Sequence, residues 1–293
     1  MNIILRKLGN LIYRVFGPSR SSLIAVGPLG NLLLKVFYGN GDKERLFISN
    51  EGIKLMLTPN DASLMGIVYL GSMNPLETKL VKEKLKPGDT FFDIGAYIDG
   101  WHSLVAGGEV GELGKVYSFE PHPKFYKRFA RNLKLNKLNN IKLENLAVAD
   151  KAGFMTFFPA ESSSSFFRNF NSKPNRKKTS IKVKVITLDD YIFKNKIKKI
   201  DMIKIDVEGA EMLVLKGANR TLQRDDAPDL LIEVVDSYLK DAGSSEKELI
   251  GYLRKFGYKA YTLDFSGLRH YKIINSSRNN NLFFSKKKQD AWL

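Results

Sequence analysis

Two short apolar runs, each ending in an acid, most constrain what this chain can fold into. The first is Thr90-Phe91-Phe92-Asp93-Ile94-Gly95-Ala96. The second is the stretch KVYSFE, which ends at Glu120, 25 positions beyond Gly95. An apolar run that stops at a carboxylate is the pattern of a buried parallel strand meeting solvent. Gly95 and Ala96 follow the first strand, and their small side chains leave room for a ligand against the backbone. Glu120 stands where nucleotide-binding sheets place a carboxylate at the tip of the second strand to hold two ribose hydroxyls. Strand, glycine turn, helix, strand and acid together describe a site for an adenosine-like ligand.

The loop narrows the ligand. A dinucleotide site needs G-x-G-x-x-G directly after the strand, because pyrophosphate is held by closely spaced backbone amides. Here the loop reads G-A-Y-I-D-G, with Gly95 and Gly100 five positions apart. That spacing favours a cofactor without phosphates, and S-adenosylmethionine fits.

With 293 residues and 43% apolar content the chain holds one large domain, or a domain with an appendage, around a real core. It has no cysteine, so disulfides and thiolate metal sites are excluded, in keeping with a reducing cytoplasm. The net charge of +16 draws anions: nucleic acid, phosphorylated sugars or acidic lipid headgroups. No run approaches the roughly 20 apolar residues of a membrane span. The start, however, sets Ile3, Ile4, Leu5, Leu8, Leu11, Ile12, Val15 and Phe16 at helical spacing among Arg6, Lys7 and Arg14. Such a segment packs on the main domain or lies on the inner membrane surface.

Three regions follow from the patterning. Residues 1–70 form an N-terminal amphipathic and β extension, with a loop at Gly39–Asp42 and one or two strands between Phe47 and Leu57. Residues 71–285 form the nucleotide-binding domain, and 286–293 a frayed tail. Within the domain Asn74 caps a helix that Pro87-Gly88 stops, and a helix over Trp101–Ala106 ends at the glycines from Gly107 to Gly114. A further helix covers Pro123–Leu135. Strands are predicted at Thr90–Ile94, Lys115–Glu120, Ile141–Leu146, Phe154–Phe158, Ile181–Ile186, Asp201–Asp206, Leu230–Val235, Lys259–Leu263 and Leu282–Ser285. Residues 159–180 read as a surface excursion. Alternating strands and helices argue for a parallel α/β sheet with right-handed crossovers.

Asp93, Glu120, Asp206 and Glu233 all fall at or near strand ends, where open parallel sheets bind ligands. The densest group is DMIKIDVEGAEMLVLK, with Glu208 and Glu211 entering a helix whose dipole tolerates carboxylates. Together with LKPGDTFFDIGAY, KVYSFEPHPKFYKRFARNLKLN, VITLDDY and LLIEV, in chain order, this phrase resembles the FkbM family of S-adenosylmethionine-dependent methyltransferases. The likeness runs over about residues 71–263. It implies an α/β, Rossmann-like methyltransferase fold: a mostly parallel seven-stranded sheet, its seventh strand reversed, with helices on both faces, here carrying the N-terminal α/β extension. It also implies O-methylation of hydroxyls on sugars, lipids or small metabolites. Residue by residue, Asp93, Gly95 and Ala96 match the cofactor loop, Glu120 the ribose acid, Asn145 and Ala147 the segment flanking the adenine, and Asp206 to Glu211 the acidic turn facing the methyl group. Tyr97 replaces the family's usual asparagine and Asp99-Gly100 adds a residue, so Tyr97 and Gly100 are assigned to the cofactor on looser grounds.

Methyl transfer from a sulfonium to a hydroxyl is an in-line displacement that needs oxygen, methyl carbon and sulfur aligned at roughly 3 to 3.5 Å. It also needs a base, because an alcohol is a poor nucleophile until it loses its proton. Asp206 or Glu208 is the candidate base or metal ligand, with Glu211 and Glu233 in support and His102 and His122 next. No metal is assigned. The acceptor expected is a glycan or lipid-linked sugar. Two alternatives stay open. Lys173–Lys199 holds ten basic residues against two acidic ones, and with Phe166, Phe167 and Phe170 could serve an RNA methyltransferase; nucleic acid ranks below a hydroxyl acceptor. The altered loop also suits a cofactor-binding module without catalysis.

Overall fold

The computed structural model describes residues 38, 41, 43–61, 63–159, 164–165, 180–264, 266–272, 280–287 and 289. The amphipathic start and Phe166, Phe167 and Phe170 lie outside these residues, as does most of the 159–180 excursion.

The central sheet has eight strands. Six run parallel in the order β5 (Ile141–Glu144), β4 (Lys115–Phe119), β3 (Thr90–Ile94), β10 (Met202–Ile205), β11 (Asp229–Val234) and, beyond a reversed strand, β12 (Lys259–Asp264). The reversed strand β14 (Asn280–Ser285) pairs antiparallel with both β11 and β12. This is the expected seven-strand arrangement. An eighth strand, β13 (Gly267–His270), folds back on β12 as an edge hairpin. Its sequence, GLRH, is too short and polar to announce a strand. The chain runs outward through β3, β4 and β5 and then restarts on the other side at β10, so strand order reverses between β3 and β10.

Strand alternation sorts the side chains onto two faces. One face carries Val116, Phe91, Met202, Leu231, Phe283 and Tyr261, covered by α2 (Pro75–Lys84) and α3 (Trp101–Val110). The hairpin of β1 (Arg45–Ile48) and β2 (Lys54–Leu57) and the helix α1 (Ser63–Tyr69) join this same cluster through Phe47, Leu55, Leu57, Leu64 and Ile67, as does Phe129 of α4 (Pro123–Asn136). The opposite face carries Phe92, Ile203, Ile205, Leu230, Ile232 and Phe284. It is covered by α5 (Leu188–Lys194), α6 (Glu211–Lys216), α7 (Asn219–Gln223) and α9 (Glu246–Lys255), with Leu239 of α8 (Asp236–Asp241). A second, smaller sheet orders β6 (Ala147–Val148), β9 (Ile181–Ile186), β7 (Gly153–Pro159) and β8 (Ser164–Ser165).

Several boundaries differ from expectation for identifiable reasons. Helix α3 runs through Gly107 and Gly108 to Val110, although glycine disfavours helix by about 1 kcal/mol. At Gly107 a Cβ would lie 2.7 Å from Cδ1 of Ile141, so the glycine is there to let the helix approach β5. Strand three stops at Glu144, and Ala147-Val148 crosses to pair with Val185-Ile186 in the second sheet. Asn74 does not cap α2 with its side chain; its amide donates to Glu77 Oε2 at 3.2 Å. Ser245 and Thr187 cap α9 and α5, accepting from the amides of Glu248 and Asp190.

Asn132 of α4 is fully buried and joins the hairpin to the loop after β3. Its Oδ1 accepts from the Met56 amide at 2.8 Å and its Nδ2 donates to the Ile98 carbonyl at 3.2 Å. Replacing it strands both backbone groups. Asn132→Ala is expected to lower unfolding free energy by about 1–3 kcal/mol in urea titration, and an unchanged midpoint would contradict this bridging role.

Candidate active site

Toward the carboxyl edge of the sheet, the face under α2 and α3 turns polar. Beyond Val116 comes Ser118, beyond Phe91 comes Asp93, beyond Met202 comes Lys204, beyond Leu231 comes Glu233, and beyond Phe283 in the reversed strand comes Asn281. Each pair sits two residues apart on one strand, so the row shares one side of the sheet.

Lys204 stands opposite Asp93 in the β3–β10 ladder. Its Nζ lies 3.7 Å from Asp93 Oδ1 and 3.1 Å from Asp206 Oδ2, and the residue is 6% exposed. Burial pushes this ammonium down, but the carboxylates of Asp206, Asp93 and Glu77 outweigh it and hold it above its ordinary value. Asp93 is 1% exposed and accepts from Ser103 Oγ at 2.5 Å, and Ser103 in turn meets Ser118 Oγ at 2.7 Å. A lysine inside an otherwise apolar central strand, IKI, was the signal in the sequence for this residue, and motif reading passed over it.

The loop after β3 is tied to the tip of β4. The amides of Gly95 and Ala96 donate to the Phe119 carbonyl at 3.0 and 3.1 Å. The Tyr97 amide donates to Glu120 Oε2 at 2.9 Å, and the His122 amide to Glu120 Oε1 at 2.8 Å. Each carboxylate oxygen keeps a lone pair for a further donor such as a ribose hydroxyl. Burial pushes Glu120 up to about 7, against the two amide bonds that pull it down. Gly95 has φ +92°, and a Cβ there would lie 1.8 Å from the Asp206 carbonyl. The neighbouring strand tip alone therefore requires glycine at this position.

The remaining loop residues have structural duties. Asp99 is buried, accepts from the Trp101 amide at 2.8 Å and from Ser63 Oγ, and so starts α3. Gly100 has φ +61°, and a Cβ there would sit 1.9 Å from the Phe129 ring, which gives it a packing role. The Tyr97 ring meets Phe125 edge-on at 4.9 Å. Asn145 is exposed and donates to the carbonyls of Glu120 at 2.8 Å and Pro121 at 3.0 Å, bracing the β4 tip. Ala147 is buried in the second sheet.

The acidic turn follows β10. Glu208 has φ +54° and Gly209 φ +109°, a left-handed pair in which the non-glycine member is strained by about 1–2 kcal/mol. Glu211 is 1% exposed and closes the turn, its Oε1 accepting from the amides of Val207 at 3.2 Å and Gly209 at 3.0 Å. Burial pushes it up to about 7. Glu233 is raised well above the ordinary glutamate value by burial first and then by Asp206, Glu208 and Glu211. The structure therefore sets Asp93 and Asp206 against one buried cation, with Glu233 beside them and Glu208 and Glu211 close to Glu233. His102 lies beside this group and is 4% exposed; its Nε2 is 2.8 Å from Glu77 Oε2. Asn281 Nδ2 donates to the other oxygen of Glu77. Glu77 and Asn281 were not singled out in the sequence because they come from α2 and β14, 204 positions apart. His122 caps α4 through Nδ1 and stacks on Phe125 at 4.2 Å, and burial holds it below its ordinary value.

Among the described residues no group of three or more His, Asp or Glu side chains is arranged to hold a metal ion, and no helix is long and apolar enough to cross a membrane. A groove of about 390 Å³ between α6 and α9, lined in part by Met212, Lys216, Ser244 and Tyr252, includes none of the residues above.

The sequence model described as the Methyltransferase FkbM domain matches residues 93–260, more than half of the chain. The chain is 28% identical over 202 residues to the 31-O-demethyl-FK506 methyltransferase FkbM of Streptomyces tacrolimicus, covering 60% of this chain and 74% of that protein. It is 26% identical over 145 residues to the hexuronic acid methyltransferase AglP of Haloferax volcanii, covering 50% of this chain and 56% of that protein, so it spans little more than half of that relative. The crystal structure of Methyltransferase FkbM from Methylobacillus flagellatus KT aligns with a TM-score of 0.45 at 19% identity, over 77% of this chain and 55% of that one.

Two consequences follow from the electrostatics. With Glu120 and Glu211 raised to about 7, the folded chain binds more protons than the unfolded one between the ordinary glutamate value and about 7. The stability these two acids contribute is complete below that window and is lost as pH rises through it. Removing the cation between the aspartates leaves them uncompensated, so Lys204→Met should cost about 3–5 kcal/mol in thermal or urea unfolding. A variant as stable as the parent would show that the Asp93–Lys204–Asp206 contact is incidental.

Proposed function

The chain belongs to the FkbM methyltransferase family and is an S-adenosylmethionine-dependent methyltransferase, and from that premise we propose that it methylates a hydroxyl oxygen of a sugar, a glycolipid or a small hydroxylated metabolite. The observation that carries this reading is the order of acids along the carboxyl edge. Glu120 stands at the tip of β4, Gly95 at that of β3, Asp206 at that of β10 and Glu233 near that of β11, on either side of the strand reversal. Ligands of open α/β sheets bind at such a reversal. With the ribose on Glu120, adenine lies on the Asn145 and Ala147 side, and the methionine end extends past Gly95, Ala96, Tyr97 and Gly100 toward Asp206.

Held there, the donor's sulfonium would meet carboxylates that match its charge, with Asp206, Glu208, Glu211 and Glu233 on the side where its methyl group would be delivered. An acceptor hydroxyl arriving there finds carboxylates able to take its proton, in a site where burial strengthens every charge interaction. S-adenosylmethionine supplies the electrophilic methyl group; the chain's own residues orient the donor, shield it and receive the proton. The relatives' names support an oxygen acceptor: one acts on a hexuronic acid and the other on 31-O-demethyl-FK506.

Incubation with S-adenosylmethionine and a panel of uronic acid glycosides, neutral glycosides and extracted glycolipids should add one methylene's mass to at least one acceptor, read by mass spectrometry. Methylation confined to amines or to RNA would overturn the oxygen reading. Glu120→Gln should weaken both S-adenosylmethionine and S-adenosylhomocysteine by about 10- to 150-fold, the loss of a charged hydrogen bond of about 1.5–3 kcal/mol. In the parent chain the affinity for both should fall as pH drops through about 7, since a protonated Glu120 accepts less well. Calorimetric titration across that range checks both outcomes.

A further inference from the structure

We propose that Glu233, rather than Asp206 or Glu208, is the base that takes the proton from the acceptor hydroxyl. The assignment rests on the oxygen-methylation reading above. Among the described residues, Glu233 is the one carboxylate at the sheet edge that no side-chain hydrogen bond or ion pair engages.

Most of the others are already committed. Asp93 accepts from Ser103 and faces Lys204. Asp206 is paired with the Lys204 ammonium at 3.1 Å. Glu120 receives two amide bonds and Glu211 two more. Asp99 is held by Ser63 and the Trp101 amide. Glu77 is held by Asn74, His102 and Asn281. Glu208 stands on the strained turn with interactions of its own, and its Oε2, which has no hydrogen bond, is buried away from the surface an acceptor would approach. Among the described residues, no side-chain hydrogen bond or ion pair ties down Glu233.

Its placement suits the task. Glu233 lies in a central strand, which fixes its position better than a loop would. It stands opposite Asn281 in the β11–β14 ladder, so the two side chains emerge from the same side of the sheet about 4.5–5.5 Å apart at Cβ. The Asn281 amide donates to Glu77, which His102 and Asn74 hold in place. That chain stiffens the wall beside Glu233. The charged groups facing Glu233 are Asp206, Glu208 and Glu211 from the β10 tip and its turn, with Lys204 behind them. Glu77 and His102 stand behind Asn281.

Burial and three neighbouring carboxylates favour the protonated acid before the donor binds. Entry of a sulfonium cation reverses this balance, and Glu233 releases its proton to solvent as the donor binds. In the transfer step the hydroxyl oxygen forms a bond to the methyl carbon. The carbon–sulfur bond breaks with its electron pair staying on sulfur, and the hydroxyl proton passes to the Glu233 carboxylate. The products are a methyl ether, S-adenosylhomocysteine and protonated Glu233, which balances both charge and atoms.

The test separates this claim from the identity of the acceptor. Calorimetric titrations with S-adenosylmethionine and with S-adenosylhomocysteine, each in buffers of different ionisation heat near neutral pH, count the protons released on binding. Protons lost from Glu120 are common to both ligands, so the difference between them reports the acid facing the sulfur. The parent chain should release more protons with the sulfonium than with the neutral sulfide. Glu233→Gln should abolish that difference while binding the sulfide within about threefold of the parent, roughly 0.7 kcal/mol. With an acceptor found by the panel above, Glu233→Gln should lower kcat by about 10²- to 10⁴-fold with little change in acceptor KM. If the Gln variant fails to fold, Glu233→Asp should keep the proton difference and lower kcat less.

Equal proton release for the two ligands in the parent chain would overturn the assignment. So would a difference that survives in Glu233→Gln, or a folded Glu233→Gln that loses both ligands equally and thereby marks Glu233 as a donor anchor. A panel without any acceptor, combined with a proton difference that vanishes in Glu233→Gln, supports Glu233 as the acid facing the sulfonium and overturns the acceptor class alone.

Discussion

The site depends on one buried cation. Lys204 projects from the middle of a strand whose other side chains are apolar, at the boundary where the sheet changes direction, and is 6% exposed. A lone ammonium there would be prohibitively desolvated, and so would the Asp93 carboxylate beside it. Each makes the other tolerable, and Asp206 joins them at the strand tip. Removal of either charge leaves the rest of the polar row without compensation, which is why the acids can crowd this edge in a folded protein.

The strand tips are closed over that row by backbone constraints. Gly95 must be glycine because the Asp206 carbonyl occupies the space of a side chain. The Asp206 amide, donating to the Ile94 carbonyl at 2.9 Å, ties the β3 and β10 tips together, and Glu120 holds the loop from the other side through the Tyr97 amide. The result is a short lip with a carboxylate at each end, Glu120 and Asp206. The α2–α3 layer completes the enclosure through the Glu77–His102 contact and the Trp101 indole, which donates to Thr78 Oγ1 at 2.8 Å.

Much of this was legible in the sequence, for physical reasons. Buried parallel strands leave apolar runs, and carboxylates at their ends mark the ligand edge, so β3, β4, β10 and β11 and the acids Asp93, Glu120, Asp206 and Glu233 could be located directly. What escaped was non-local. Gly107 looks like a helix breaker until Ile141 is brought against it, and β13 exists only because β12 offers an edge. The partners of Glu77 arrive from distant elements. Lys204 was visible as an anomaly in an apolar strand, yet only the register opposite Asp93 gives it a meaning. Gly100 and Asp99 also carry local duties, packing against Phe129 and starting α3, that the sequence does not display.

The central claim is that the polar row on the α2–α3 face is where the methyl donor sits. A crystal structure of the chain with S-adenosylhomocysteine tests it most directly. The account predicts ribose hydroxyls on the Glu120 carboxylate, the adenine beside Asn145 and the sulfur over the tips of β10 and β11, facing Asp206 and Glu233. Density for the ligand in the groove between α6 and α9, or with its ribose away from Glu120, would contradict it.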